Sequence, residues 1–187
     1  MRNTVMLILL GVIFSTEAYA KKSNHALLEE AARDADSLTT SAPKDNETCF
    51  SPDEPCAGKI IKFIQTAKTS LDIAIFEMTD QKIAKAIVEA AKTVRVRMVV
   101  NRKLVKDTGP AYDLLKSAHV PIRVGKQKGI MHNKFTIVDG KRLETGSFNY
   151  TYRAESSNQE NQFYVGTPGV VARYHERFEK MWSTGKE

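Results

Sequence analysis

The residues best suited to chemistry lie in Met131-His132-Asn133-Lys134-Phe135-Thr136-Ile137-Val138-Asp139. On an extended strand, positions i and i+2 point to the same side, so His132 and Lys134 project together. A neutral imidazole can attack phosphorus. A fixed ammonium beside it binds the non-bridging oxygens as their charge grows. The pair therefore suits phosphoryl chemistry. Asp139 has the opposite parity to His132 and falls at a turn, so it is poorly placed to orient the imidazole. It reads as mainly structural, bonding the turn or a nearby cation.

Gly146-Ser147-Phe148-Asn149 follows. Gly146 allows close backbone approach. Ser147 and Asn149 share one side of an extended segment and offer a hydroxyl and an amide, which bind phosphate without a metal. Asn158-Gln159-Glu160-Asn161 then places Glu160 just before a strand. A carboxylate there can hold one imidazole nitrogen so that the other faces a substrate.

These groups need elements to carry them. Residues 57–67 have Ile60, Ile61, Phe63, Ile64 and Ala67 at helical spacing, and 80–92 have Ile83, Ile87, Val88 and Ala91 on one face. Residues 71–76, 94–100 and 120–124 read as strands, and 112–118 as a short helix. This βαβαβ rhythm predicts a largely parallel sheet with helices packed on it. Residues 132–138 and 142–145 then form a hairpin through Asp139-Gly140-Lys141. Residues 161–165 add a strand. A helix over 168–182 closes the chain, with Pro168 in its first turn and Gly185 beyond its end. The expected fold class is α/β: a mixed, largely parallel β-sheet flanked by helices, in a single domain over 48–187. Residues 21–47 read as a polar linker, with a helical turn or two within 26–35.

His132-x-Lys134, four residues, Asp139, six more, then Gly146-Ser147-x-Asn149 resembles the signature of the phospholipase D superfamily. The likeness is strongest to the small bacterial Nuc-type endonucleases and covers about residues 50–183. It implies an α/β sandwich and a two-step mechanism. One histidine attacks phosphorus to form a phosphohistidine. A second protonates the leaving oxygen and then activates water. Lysine and asparagine bind phosphoryl oxygens, and no cofactor or metal is required. By resemblance, Glu160 supports the nucleophilic histidine and Ser147 lies in the site.

That mechanism needs two histidines, and His25, His119 and His175 have no lysine two residues on. No internal repeat supplies a second motif. A twofold homodimer would bring His132, Lys134 and Asn149 of two copies together in one shared site. Lys126 and Lys128, in a Gly-bounded loop before the motif, and Arg153, just after it, are candidates to bind a nucleic-acid backbone. Arg102 and Lys103 follow a strand end and are further candidates. Tyr150 and Tyr152 lie where a ring could stack on a base. Phe178 and Trp182 read as packing on the last helix.

The chain of 187 residues favours one domain. Its net charge of +6 favours polyanionic partners: nucleic acid or anionic lipid headgroups. Arg2, an apolar run over 5–14 and Ala18-Tyr19-Ala20 form a signal-peptide pattern cleaved after Ala20, predicting a periplasmic or secreted protein. The run is about half the ~18 residues a spanning helix needs. In an oxidising compartment the two cysteines, Cys49 and Cys56, make a reasonable disulfide, with two buried thiols as the alternative. No Walker loop, G-x-S-x-G elbow or metal-ligand cluster is visible in the sequence. The expected function is a nonspecific endonuclease cleaving DNA, with RNA as a further substrate. A phospholipase D acting on anionic phospholipid is the alternative.

Overall fold

Alternation along one strand shows how the core is divided. In the computed structural model, Leu71, Ile73 and Ile75 of β2 (Ser70–Ile75) enter one hydrophobic cluster, and Ala74 enters another. The first cluster holds Ile60, Phe63 and Ile64 of α1 (Cys56–Gln65), with Ile83 and Ile87 of α2 (Gln81–Ala91). The second holds Phe135, Ile137 and Leu143 under Val171, Phe178 and Met181 of the last helix. Each fully buried side chain of this size contributes roughly 1.5–3 kcal/mol, so both layers anchor the sheet.

The structure describes residues 27, 28, 31, 40–106, 109–125 and 129–186. The expected leader over 1–20, most of the expected linker, and Lys126 and Lys128 lie outside them. Residues 27, 28 and 31 are helical and exposed. Thr40–Glu187 forms one compact unit. Among the described residues, no helix is long and apolar enough to cross a membrane.

The remaining elements are β1 (Glu47–Ser51), β3 (Arg95–Val100), α3 (Arg102–Lys106), α4 (Pro110–Ser117), β4 (Ile122–Val124), β5 (Lys134–Val138), β6 (Arg142–Gly146), α5 (Tyr152–Ser156), β7 (Glu160–Val165) and α6 (Pro168–Thr184). One sheet runs β1-β7-β6-β5-β2-β3-β4. It is mixed and flanked by helices, as expected. Its parallel part is smaller than expected and is confined to β2–β3 and β3–β4. The β2–β5, β5–β6, β6–β7 and β1–β7 pairs are antiparallel. The cause lies in the connections. Long helical crossovers join β2, β3 and β4, whereas a tight turn joins β5 to β6, and tight turns produce antiparallel pairs. Asp139 and Gly140 both have positive φ (55° and 64°), the geometry a two-residue hairpin turn needs.

The β1 strand was not expected, and it shortens the linker. Arg142 Nε donates to Asp45 at 3.0 Å, and its Nη2 donates to the Pro43 carbonyl, tying 43–45 to the sheet. Cys49 and Cys56 are joined as a disulfide, with 5.7 Å between their Cα atoms. Asp80 caps α2, accepting from the amides of Lys82 and Ile83 at 2.7 and 3.1 Å.

Two residues of the motif act on the backbone. Asp139 accepts from the amides of Lys68, Thr69 and Ser70 and from the Thr69 hydroxyl, while its own amide donates to the Ser70 carbonyl at 2.9 Å. It thus clamps the start of β2 rather than its own turn. Gly146 lies so close to β7 that a Cβ would overlap the Asn161 carbonyl oxygen and sit 2.8 Å from Asn161 Oδ1.

Partial burial raises the pKa of Asp139, but the donors from Ser70, Thr69 and Lys68 outweigh it and hold the carboxyl below its usual range. This stabilisation is complete above the unfolded value of about 3.9 and is lost as pH falls through the lower folded value. Asp139→Asn is expected to cost on the order of 1–2 kcal/mol at pH 7, allowing for partial exposure, with the cost shrinking in strong acid. Urea midpoints across pH measure both. Gly146→Ala is expected to cost roughly 1–3 kcal/mol, because a backbone carbonyl is what must move. Its thermal midpoint should fall accordingly.

Candidate active site

The antiparallel pairing gathers four strand ends. β2 and β6 finish where β5 and β7 begin, so Phe76 and Glu77, His132 and Lys134, Gly146 to Asn149, and Glu160 come to one end of the sheet. β5 begins at Lys134, so His132 precedes the strand and stays exposed.

His132 and Lys134 do lie side by side. The Lys134 ammonium is 3.3 Å from each ring nitrogen of His132 and donates to the His132 carbonyl at 3.0 Å. The Phe76 ring supports both. Its centroid is 4.4 Å from that of the imidazole at 60°, and 5.1 Å from the ammonium. Lys134 is buried, with only 8% of its surface exposed. Burial lowers its pKa, and the carboxylates of Glu160 and Glu77 partly offset that. The site therefore pairs an accessible ring with a shielded cation, the arrangement that strengthens attraction for a phosphoryl oxygen.

Asn149 Oδ1 accepts from the Glu77 amide at 3.2 Å. Its NH2 group has no protein partner among the described residues, which leaves a donor for an anion. Ser147 is clamped to β7: its amide donates to the Asn161 carbonyl at 3.1 Å, and its Oγ accepts from the Asn161 amide at 3.1 Å. The hydroxyl proton remains available to a ligand.

Glu160, the residue expected to support an imidazole, lies at the start of β7. It accepts from Asn158 Nδ2 at 2.9 Å. Among the described residues, no hydrogen bond joins it to His132 of the same chain. The charge of Glu160 favours the protonated form of Lys134.

The basic candidates divide. Arg153 is exposed on α5, and Lys103 on α3 reaches to 3.8 Å from Glu77, at the rim of the site. Tyr152 is exposed, whereas Tyr150 is fully buried and its ring is unavailable for stacking on a base. Phe178 is buried and stacks with Trp182 at 6.1 Å, as packing residues do. Asp72, His175 and Glu179 converge closely enough to hold a metal ion. That position already has a cation: Arg97 donates to Asp72 at 2.8 and 3.0 Å and to Glu179 at 2.6 Å.

Phe76 and Glu77 escaped the sequence reading, since neither belongs to a motif. The available signal was positional. Sites in open α/β sheets lie beyond the carboxyl ends of parallel strands, and Phe76 directly follows one.

Comparison with known proteins agrees with this geometry. A family model described as "Cardiolipin synthase, PLD-like domain" matches residues 60–182. A phospholipase D of Rickettsia bellii is 36% identical over 128 residues, which is 68% of this chain and 64% of that protein. A mitochondrial cardiolipin hydrolase of Chlamydomonas reinhardtii is 32% identical over 129 residues, 68% of this chain and 58% of that protein. The chain thus spans about three fifths of the length of the curated relatives it matches. The crystal structure of Nuc from Salmonella typhimurium, a phospholipase D family member, superposes with a TM-score of 0.68 at 30% identity. The match covers 75% of this chain and 95% of that one. NucT from Helicobacter pylori, at 22% identity, shares the fold with a TM-score of 0.67, covering 76% and 98%. The motif, the site geometry and the family match converge: the chain belongs to the phospholipase D superfamily.

Proposed function

We propose that this protein is an exported, metal-independent phosphodiesterase, a nonspecific endonuclease that cleaves DNA through a phosphohistidine at a site shared by two copies. The observation that carries the chemistry is the exposed His132 ring held against the buried Lys134 ammonium on Phe76. In the first step a neutral His132 nitrogen forms a bond to phosphorus as a P–O bond breaks. The departing oxygen takes a proton from protonated His132 of the partner subunit. That imidazole, now neutral, then takes a proton from water, and the hydroxide displaces His132 from phosphorus. Lys134 and the Asn149 NH2 bind the non-bridging oxygens, whose charge is greatest in the transition state.

Several features support the substrate and setting. The likeness to Nuc, the net charge of +6, the Lys103 ammonium near Glu77 and the exposed Arg153 favour a nucleic-acid backbone read without sequence preference. RNA presents the same diester. The Cys49–Cys56 disulfide and the signal-like pattern before Ala20 support a periplasmic or secreted location.

A second reading is a phospholipase acting on anionic lipid. It draws on the names of the relatives and on exposed apolar residues close to the motif. Ile130 is 61% exposed, two positions before His132, and Tyr152 is 57% exposed on the helix after Asn149.

Plasmid DNA and phospholipid vesicles, each incubated in EDTA, separate the readings. Plasmid nicking is expected to survive EDTA and to fall by at least about a thousandfold in His132→Ala, the scale of losing a nucleophile. Headgroup release without nicking would instead establish the lipid reading. Sharing of the site is tested by activity against protein concentration. Specific activity should collapse as the dimer dissociates, and a fully active monomer, verified by sedimentation, would refute it.

A further inference from the structure

Behind the site lies a buried polar group that the proposed reaction does not use. Glu144 is 1% exposed on β6, and Thr136 on β5 and Tyr150 are fully buried. The Tyr150 hydroxyl donates to Glu144 Oε2 at 3.3 Å and is hydrogen-bonded to Thr136 Oγ1. Among the described residues, Glu144 Oε1 has no hydrogen-bond partner. Among the described residues, no lysine, arginine or histidine pairs with this carboxyl. A buried carboxyl with so little support costs stability, so a packing role alone does not account for it.

Its connections lead to the site. Thr136 is two positions beyond Lys134 on the same side of β5, and Glu144 is two before Gly146 on β6. Tyr150 directly follows Asn149. The backbone of Tyr150 is stitched to the end of β2: its amide donates to the Glu77 carbonyl at 3.1 Å, and its carbonyl accepts from Thr79 and Asp80 at 2.8 and 3.0 Å. The side chain holds the other end of the same residue against β5 and β6. We infer that Glu144 is a positioning residue: with Thr136 it grips the Tyr150 hydroxyl and so fixes Asn149 beside Lys134. This inference rests on the phosphodiesterase reading.

Burial also sets the charge of this group. Burial pushes the Glu144 carboxyl up to about 8, with the Tyr150 hydrogen bond opposing the shift. The other titratable groups near it are Tyr150 itself, Tyr164 of β7, whose field couples to Glu144, and more distantly Glu47 of β1 and Glu155 of α5, which act on Tyr164. None is a base that would hold Glu144 ionised. The folded state therefore binds a proton that the unfolded state releases above about 4.3. Stability should fall as pH rises from there to about 8 and then level off. Ionisation near the top of that range places a charge among apolar side chains and lowers stability, although the Tyr150 hydroxyl still donates to the carboxylate.

The test compares wild type with Glu144→Gln, which keeps an oxygen for the tyrosine, and Glu144→Leu, which keeps the volume without it. Glu144→Gln should retain most of the activity and lose the fall in stability between about pH 4 and 8. Glu144→Leu should be folded and at least as resistant to urea as wild type, with kcat lowered about ten- to a hundredfold and KM little changed. The side-chain amide resonance of Asn149, assigned by its disappearance in Asn149→Asp, reports the position without any turnover. It should move in Glu144→Leu and stay in place in Glu144→Gln. An unmoved resonance in Glu144→Leu, or equal damage in both variants, overturns the inference. If wild type cleaves no diester, the functional reading fails while the resonance still decides the positioning role.

Discussion

Ile75 lies opposite Lys134, and the β2–β5 register that sets this pairing also sets the site. A slip of one residue would turn Lys134 to the other face of the sheet and remove Phe76 from beneath His132. Asp139 holds the register from the far end. Its carboxylate gathers the amides of Lys68, Thr69 and Ser70, so β5 finishes where β2 begins. A residue in the middle of a catalytic motif thus acts at the opposite end of its strand from the reacting groups. The motif spacing is the length of that strand.

Rigidity at the site comes from strand ends locked to one another rather than from a loop. Gly146 lets β6 approach Asn161, and Ser147 then exchanges two hydrogen bonds with that residue. Glu77 presents its amide to Asn149 and its carbonyl to Tyr150. Asn149 and Ser147 are thus held by backbone amides of other segments, and Lys134 by the His132 carbonyl of its own. A transition state that gathers charge on phosphoryl oxygens is stabilised by such preorganised donors.

The two faces of the sheet use charge differently. Under α6, Asp72, Arg97 and Glu179 neutralise one another, and the Arg97 guanidinium also lies 5.0 Å from the Phe178 ring. On the opposite face, among the described residues, Glu144 has no cation, and the Tyr150 hydroxyl donates to it. The first arrangement fastens a helix to the sheet. The second lies beneath the residues that face a substrate.

Much of this was written in local pattern. His132 and Lys134 share a side because i and i+2 do so in extended chain. The positive-φ turn at Asp139-Gly140 is a property of those residues, and α1, α2 and α6 follow from apolar spacing and flanking Pro and Gly. What required the tertiary structure were relations between distant segments. β1 joins the sheet because Arg142 and β7 receive it, although ETCFS carries no strong strand signal of its own. The antiparallel share of the sheet depends on which strands become neighbours, since only β5 and β6 are joined by a tight turn. Phe76, Glu77 and Glu144 have ordinary sequence neighbours and acquire their roles through contacts with residues far along the chain. Tyr150 resembles a base-stacking residue in sequence and becomes a buried strut once folded. Period and turn chemistry act over a few residues, and so sequence reveals them. Burial and cross-strand register depend on what lies opposite, and only the folded chain decides that.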